Sequence, residues 1–146
     1  MTIFEQLSNL PHFSPEISIE GTPKKVLELR EAIKNSDGVL ICTPEYVFSI
    51  PSGIKNAIEW CVSTTVFSSK PVGLITASAS GEKGQEELQL IMKTLEASFT
   101  NRTTHLIQGV KGKVDTEGTI TNLETENDIQ KFANDFEEFI KYRELE

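Results

Sequence analysis

The sequence predicts an α/β fold, a parallel sheet with helices on both faces. Segments of strand length alternate with longer segments of helical periodicity, in the order β-α-β-α-β-α-β-α. The central strand segments, residues 39–43 and 71–77, are near-continuous apolar runs, such as Val39-Leu40-Ile41-Cys42. That pattern suits strands buried on both faces by crossover helices. Each run then leads into a loop of Pro, Gly or Ser, the residues that end regular structure.

Residues 1–7 alternate weakly and predict a short strand. Pro11, Pro15 and Gly21 punctuate the loop that follows. Thr22-Pro23 predicts a helix start, with a hydroxyl at the N-cap and Pro in the first turn. Val26, Leu29 and Ile33 continue it at helical spacing, and Asn35-Ser36-Asp37-Gly38 ends it. Residues 39–43 predict a strand buried on both faces, and residues 44–52 a loop. Residues 53–61 predict a helix with Ile54, Ala57, Ile58 and Cys61 on one face. Residues 71–77 predict a second apolar strand, entering the small-residue loop 78–84. Residues 86–98 predict a helix with Leu88, Ile91, Met92 and Leu95 inward. Residues 103–107 read as a strand, β-branched at its start. Residues 109–127 are polar and predict a loop with a short extended piece. Residues 128–143 predict a last helix, its apolar face made of Ile129, Phe132, Phe136, Phe139 and Ile140.

Composition bounds the function. At 146 residues, 38% hydrophobic and 25% charged, the chain predicts one globular domain over residues 1–146, with a core that needs no covalent staple. Lys and Arg number 14 against 22 Asp and Glu, a net charge of −8. Such a chain repels nucleic acid and anionic membranes. The densest basic pairs, Lys24-Lys25 and Lys111 with Lys113, are too small to reverse that. The two cysteines, Cys42 and Cys61, form no C-x-x-C pair and have no histidine at ligand spacing, so no metal site is predicted. They read as free thiols of a cytoplasmic protein. No apolar run spans a membrane, and no basic flank with an apolar core marks a secretory signal.

In an open parallel sheet the ligand sits beyond the carboxyl ends of the strands. Two loops leave strands there with distinctive composition. One, residues 43–51, carries two prolines and two aromatics. The other, residues 78–84, is rich in Ser and Gly, whose small side chains let backbone N–H groups approach a ligand. The residue order says more. Thr43-Pro44-Glu45-Tyr46-x-x-Ser49-Ile50-Pro51-x-x-x-Lys55-Asn56-Ala57-Ile58-Glu59-Trp60 closely resembles the signature segment of the NADPH-dependent FMN reductase family. Ala77-Ser78-Ala79-Ser80-Gly81-Glu82-Lys83-Gly84 resembles that family's second flavin-edge loop. The stretch from Asn35 to Thr43 fits the same pattern, and the resemblance covers nearly the whole chain.

The resemblance implies a flavodoxin-like fold and an NAD(P)H-dependent oxidoreductase that passes hydride through FMN to a flavin, quinone or similar acceptor. It places cofactor contacts at Pro44, Glu45, Tyr46, Val47, Phe48, Ser78, Ser80 and Gly81. In that picture backbone amides from Glu45 to Phe48 meet the polar edge of the ring, Tyr46 and Phe48 form apolar walls, and Ser80-Gly81 approaches from the other side. No side-chain acid, base or nucleophile is required, and no catalytic residue is assigned. The family usually has Asn after the tyrosine, where this chain has Val47. The family's members also imply a homodimer or tetramer.

The resemblance implies, too, a Gly-Ser-x-Arg loop after the first strand that cradles the FMN phosphate. None is present here, and residues 1–7 align with the family's second strand. One strand–loop–helix unit, roughly 30 residues, is missing, which predicts a truncated sheet of about four strands. The missing strand is internal in a 2-1-3-4-5 sheet, so residues 39–43 are expected to keep an open edge. The same absence predicts weakened FMN retention. The alternative function is therefore a non-catalytic flavodoxin-like remnant or interaction module.

Several other residues have plainer readings. Trp60 fits either a subunit interface or packing against the sheet. Lys55 and Asn56 read as capping or ion-pairing residues at a helix start. His12 reads as solvated and His105 as a packed strand residue. Cys42 reads as a small hydrophobe at a strand end. Glu137, Glu138, Glu144 and Glu146 read as a solvated acidic face.

Overall fold

The apolar runs pair as parallel strands: in the computed structural model, which describes residues 1–143, β1 (Val39–Thr43), β2 (Val72–Ser78) and β3 (Thr104–Gln108) form one sheet in the order β1-β2-β3. Ile41 pairs with Leu74 and Thr43 with Thr76, while Leu74 pairs with Thr104 and Ser78 with Gln108. The helices are α1 (Lys24–Lys34), α2 (Ser52–Glu59), α3 (Glu82–Thr94) and α4 (Leu123–Arg143).

Alternation along each strand divides the side chains between two layers. One face joins Ile41, Val72 and Leu74 to Val26, Leu29 and Ile33 of α1, Ala57 and Ile58 of α2, and Leu88 and Met92 of α3. The other joins Ile75 and Ile107 to Phe132 of α4, with Ile129 and Phe136 beside it. The N-terminal segment is clamped onto the first layer. Trp60 is fully buried, meets Phe13 edge-on at 5.3 Å and donates its indole N–H to Pro11 O at 2.7 Å. Asn56 accepts from the Phe13 N–H at 2.8 Å and donates to Pro11 O at 3.0 Å. Buried Arg30 donates to Trp60 O and, at 2.9 Å, to Ser18 O. Trp60 thus packs within the chain, while Lys55 pairs with Glu59 at 2.7 Å as the sequence predicts.

Residues 1–7 are not a strand. They pair with nothing in the sheet, Met1 and Ile3 are exposed, and a short 3-10 turn (Leu7–Asn9) follows, so the sheet holds three strands among the described residues. A strand needs a ladder partner for its N–H and C=O groups, and this segment's Phe4 and Leu7 pack on the helical layer instead. β1 is consequently an edge strand buried on one face only: Ile41 and Thr43 are buried, whereas Leu40 is 42% exposed and Cys42 is exposed. Thr22 does not cap α1. Its hydroxyl donates back to Ser18 O at 3.1 Å, and Pro23 holds the N-cap position.

α3 begins four residues earlier than its apolar pattern suggests and ends earlier too. It stops in a turn with Glu96 at φ +58, where the Ala97 N–H reaches Met92 O and the Glu96 N–H reaches Lys93 O, both at 3.0 Å. This is the Schellman geometry built without glycine, so the sequence holds no stop signal. α4 begins at Leu123 because Asn122 caps it, its side-chain oxygen accepting from the Thr125 N–H at 2.9 Å. The loop 109–122 contains the expected extended piece, a Val114–Ile120 bridge. Glu137 and Glu138 are exposed as expected; Glu144 and Glu146 lie outside the described residues.

Candidate functional site

The loops leaving β1 and β2 meet at the carboxyl end of the sheet. Tyr46 and Ser49 close a two-residue hairpin, with the Tyr46 N–H on Ser49 O at 2.9 Å and the Ser49 N–H on Tyr46 O at 3.1 Å. Between them Val47 has φ +54 and Phe48 φ +58. Positive φ at both central positions is the type I′ pattern, which Asn and Gly adopt readily. An L-residue with a full side chain pays roughly 1–2 kcal/mol there, and a β-branched valine is among the poorest choices. Tyr46, Val47 and Phe48 are nevertheless held out from the surface, 62%, 95% and 75% exposed. The Val47 and Phe48 N–H groups make no hydrogen bond among the described residues. Ile50, 5% exposed, anchors the far end of the turn in the core.

The second loop runs from half-buried Ser78 through exposed Ser80 to Gly81, the N-cap of α3. Gly81 has φ +86, where an L side chain is strained, and a Cβ there would press on Leu106 Cδ1 at 2.7 Å. This loop is tied to β3: the Gly109 N–H donates to Ala79 O at 3.1 Å, and Gln108 Nε2 to Glu82 Oε1 at 3.3 Å. The buried Thr76 hydroxyl donates to the Gln85 side-chain oxygen underneath.

The two loops are joined through Glu45. Its carbonyl accepts from Ser78 Oγ at 3.4 Å, and its Oε2 accepts from the Gly84 N–H at 2.9 Å. All eight residues singled out from the sequence therefore share one end of the sheet. One departs from expectation, and one adds a contact that the motif does not signal. The Tyr46 N–H is used inside the turn, and the Glu45 carboxylate faces α3. Gly84 lies in the second motif, but its link to Glu45 is not signalled by the sequence, and neither are Gln85 and Glu87, because each acts across a fold contact. Cys42 is exposed near this end of β1, with its thiol pKa raised by partial desolvation. His12 is exposed, and His105 lies 6.4 Å from the Phe132 ring. Among the described residues no helix is long and apolar enough to cross a membrane.

The sequence profile of the NADPH-dependent FMN reductase family matches residues 1–111. The chain belongs to that family. As a member of the NADPH-dependent FMN reductases it is 32% identical to the quinone reductase of Escherichia coli K12, over 92% of this chain and 76% of that one. It is 28% identical to an NAD(P)H-dependent FMN reductase of Pseudomonas aeruginosa, over 86% of this chain and 70% of the relative. Among solved structures, FerB of Paracoccus denitrificans, a flavoenzyme NAD(P)H:(acceptor) oxidoreductase, superposes with a TM-score of 0.77 at 26% identity, over 93% of this chain and 78% of FerB. The family's flavodoxin-like layering is the one seen here, with α1–α3 on one face of a parallel sheet and α4 on the other.

Proposed function

We propose that this chain is an NAD(P)H-dependent oxidoreductase that works through FMN and delivers hydride to a quinone, a flavin or a similar small acceptor. The observation that carries this reading is the strained apolar turn at the exit of β1. Strain of this kind persists where the displayed groups have a task. Val47 and Phe48 hold positive φ while presenting apolar side chains and unpaired N–H groups to solvent. Those features suit a flat ring system with an apolar face and a polar edge.

In this reading Pro44, Glu45, Tyr46, Val47 and Phe48 line one edge of the flavin, and Ser78, Ser80 and Gly81 the other. The Val47 and Phe48 N–H groups donate to the ring's polar edge, and Tyr46 and Phe48 form its apolar walls. When bound, FMN supplies the hydride chemistry. The chain's share is to orient the ring and leave space over it for nicotinamide and then acceptor. The ring edge fits these loops. The phosphate fits them less well, because it needs several backbone donors at a helix N-terminus, and the Gly84 N–H of α3 is already given to Glu45. That observation favours a second reading, a flavodoxin-like module that does not retain FMN tightly.

The two readings separate in one experiment. Purified protein is mixed with FMN, passed through gel filtration, and assayed for NADPH and NADH consumption with a benzoquinone acceptor. Retained flavin with acceptor-dependent turnover supports the enzyme, and colourless, inactive protein overturns it. A homodimer or tetramer is part of the proposal. Its support is the open β1 edge with Leu40 42% exposed, and solution mass tests it. One domain over residues 1–146 and a cytoplasmic location complete the reading.

A further inference from the structure

α3 holds the flavin-facing turn at both ends. At the near end Glu45 Oε2 accepts from the Gly84 N–H at 2.9 Å. At the far end Glu87 Oε2 accepts from the Ile50 N–H at 3.4 Å. Positions 84 and 87 lie three residues apart and so share one helix face. The strained residues Val47 and Phe48 sit between the two anchor points. The fit at the near end is close: a Cβ on Gly84 would stand 3.1 Å from Glu45 Cβ and 3.5 Å from its Cα. The same helix starts at Gly81, in the second loop.

We propose that Glu45 and Glu87 are positioning residues that preset the 46–49 turn against α3 before any flavin arrives. The inference rests on the functional reading above, since it takes this turn as the ring-binding edge. The physical need is plain. A two-residue hairpin with poor turn residues is not stable alone, and positive φ at Val47 and Phe48 would relax without restraint at both ends. The Gly84 N–H on Glu45 at 2.9 Å is a charge-assisted bond, stronger than a neutral one, and the Ile50 N–H on Glu87 at 3.4 Å is a longer, weaker second tie. Glu45 also completes the α3 N-terminus, where a negative charge is favoured. Its side chain therefore serves the helix, and its backbone serves the loop.

The test compares Glu45→Ala, Glu45→Gln, Glu87→Ala and Glu87→Gln with the unaltered chain. FMN affinity is read by quenching of flavin fluorescence, and amide hydrogen exchange is read in the flavin-free protein. The alanine variants are expected to raise the FMN Kd roughly tenfold or more. They are also expected to speed exchange at Gly84 for Glu45→Ala, at Ile50 for Glu87→Ala, and at Tyr46 and Ser49 for both. The glutamine variants keep an acceptor oxygen and restore most of the affinity and protection. Unchanged exchange in the alanine variants overturns the clamp, and so does a glutamine variant as impaired as its alanine counterpart. If the unaltered chain binds no FMN, the functional reading falls, while the exchange measurement still decides whether the turn is preset.

Discussion

Replacing Val47 by Asn tests whether the turn after β1 stores strain. Val47 has φ +54 in a type I′ hairpin, a conformation that costs an ordinary L-residue roughly 1–2 kcal/mol. Asn tolerates it far better, because its short polar side chain bonds locally. Val47 is 95% exposed, so the substitution forfeits almost no buried apolar surface to offset the gain. The expected result is about 1 kcal/mol of added stability, or about 4 °C in Tm for a domain of this size. Urea denaturation followed by fluorescence reports it cleanly, since the single tryptophan, Trp60, is fully buried. Val62→Asn is the control: Val62 is 59% exposed and is not among the residues with positive φ, so its replacement should change stability by less than about 0.5 kcal/mol. If Val47→Asn is no more stabilising than Val62→Asn, the strain argument fails, and with it the main reason for placing function at this turn. The variant keeps the 46–49 turn geometry and its backbone N–H groups, so it is expected to bind FMN at least as tightly as the unaltered chain.

Three further outcomes are expected. Phe48→Gly keeps the turn geometry but removes an aromatic wall, and should weaken FMN binding roughly three- to tenfold by fluorescence titration. Riboflavin and FMN should bind within about threefold of one another, because the ring loops rather than a phosphate cradle supply the contacts; an affinity for FMN tens of times higher would reveal a phosphate seat. Cys61 is 1% exposed, and burial lifts its thiol to about 11 against a small opposing effect of Arg30. An unfolded cysteine loses its proton near pH 9, so the raised folded value means stability is complete below that pH and declines as pH rises toward 11. The decline is on the order of 2–3 kcal/mol. Denaturation across that range should show it, and Cys61→Ala should flatten it.

The sequence carried the layers well and the locks poorly. Parallel strands at 39–43, 72–78 and 104–108 follow from apolar or β-branched segments set between helical ones. The helical faces of α1 and α2 follow from periodicity. Residues 1–7 alternate weakly yet form no strand, because weak alternation says nothing about whether a ladder partner exists. Leu40 and Cys42 are exposed for the same reason: an apolar run reports what a strand could bury, not what covers it. The ends of α3 escaped notice because its start depends on Glu45, 39 residues away, and its stop on Glu96 in a left-handed conformation. The candidate site was legible as a motif, from Pro44 to Phe48 and from Ser78 to Gly81. Its strain was not legible, since no residue type in Tyr46-Val47-Phe48-Ser49 announces a type I′ turn.

The carboxylate of Glu45 also bears on what this end of the sheet can bind. A helix N-terminus following a strand, at the mouth of an open parallel sheet, is by position a seat for an anion. In α3 that seat holds Glu45 Oε2, 2.9 Å from the Gly84 N–H. A phosphate brought there would lie beside that carboxylate, and two anions in contact repel unless one is protonated. The positive end of α3 is therefore committed to holding the protein's own loop. This divides labour between the two parts of a flavin nucleotide. In the proposed function the ring meets a turn that α3 holds in a costly shape, and the phosphate loses the Gly84 N–H of the helix that does the holding. Removing the carboxylate would free the anion seat but release the turn, so phosphate affinity and ring affinity are opposed at this one side chain.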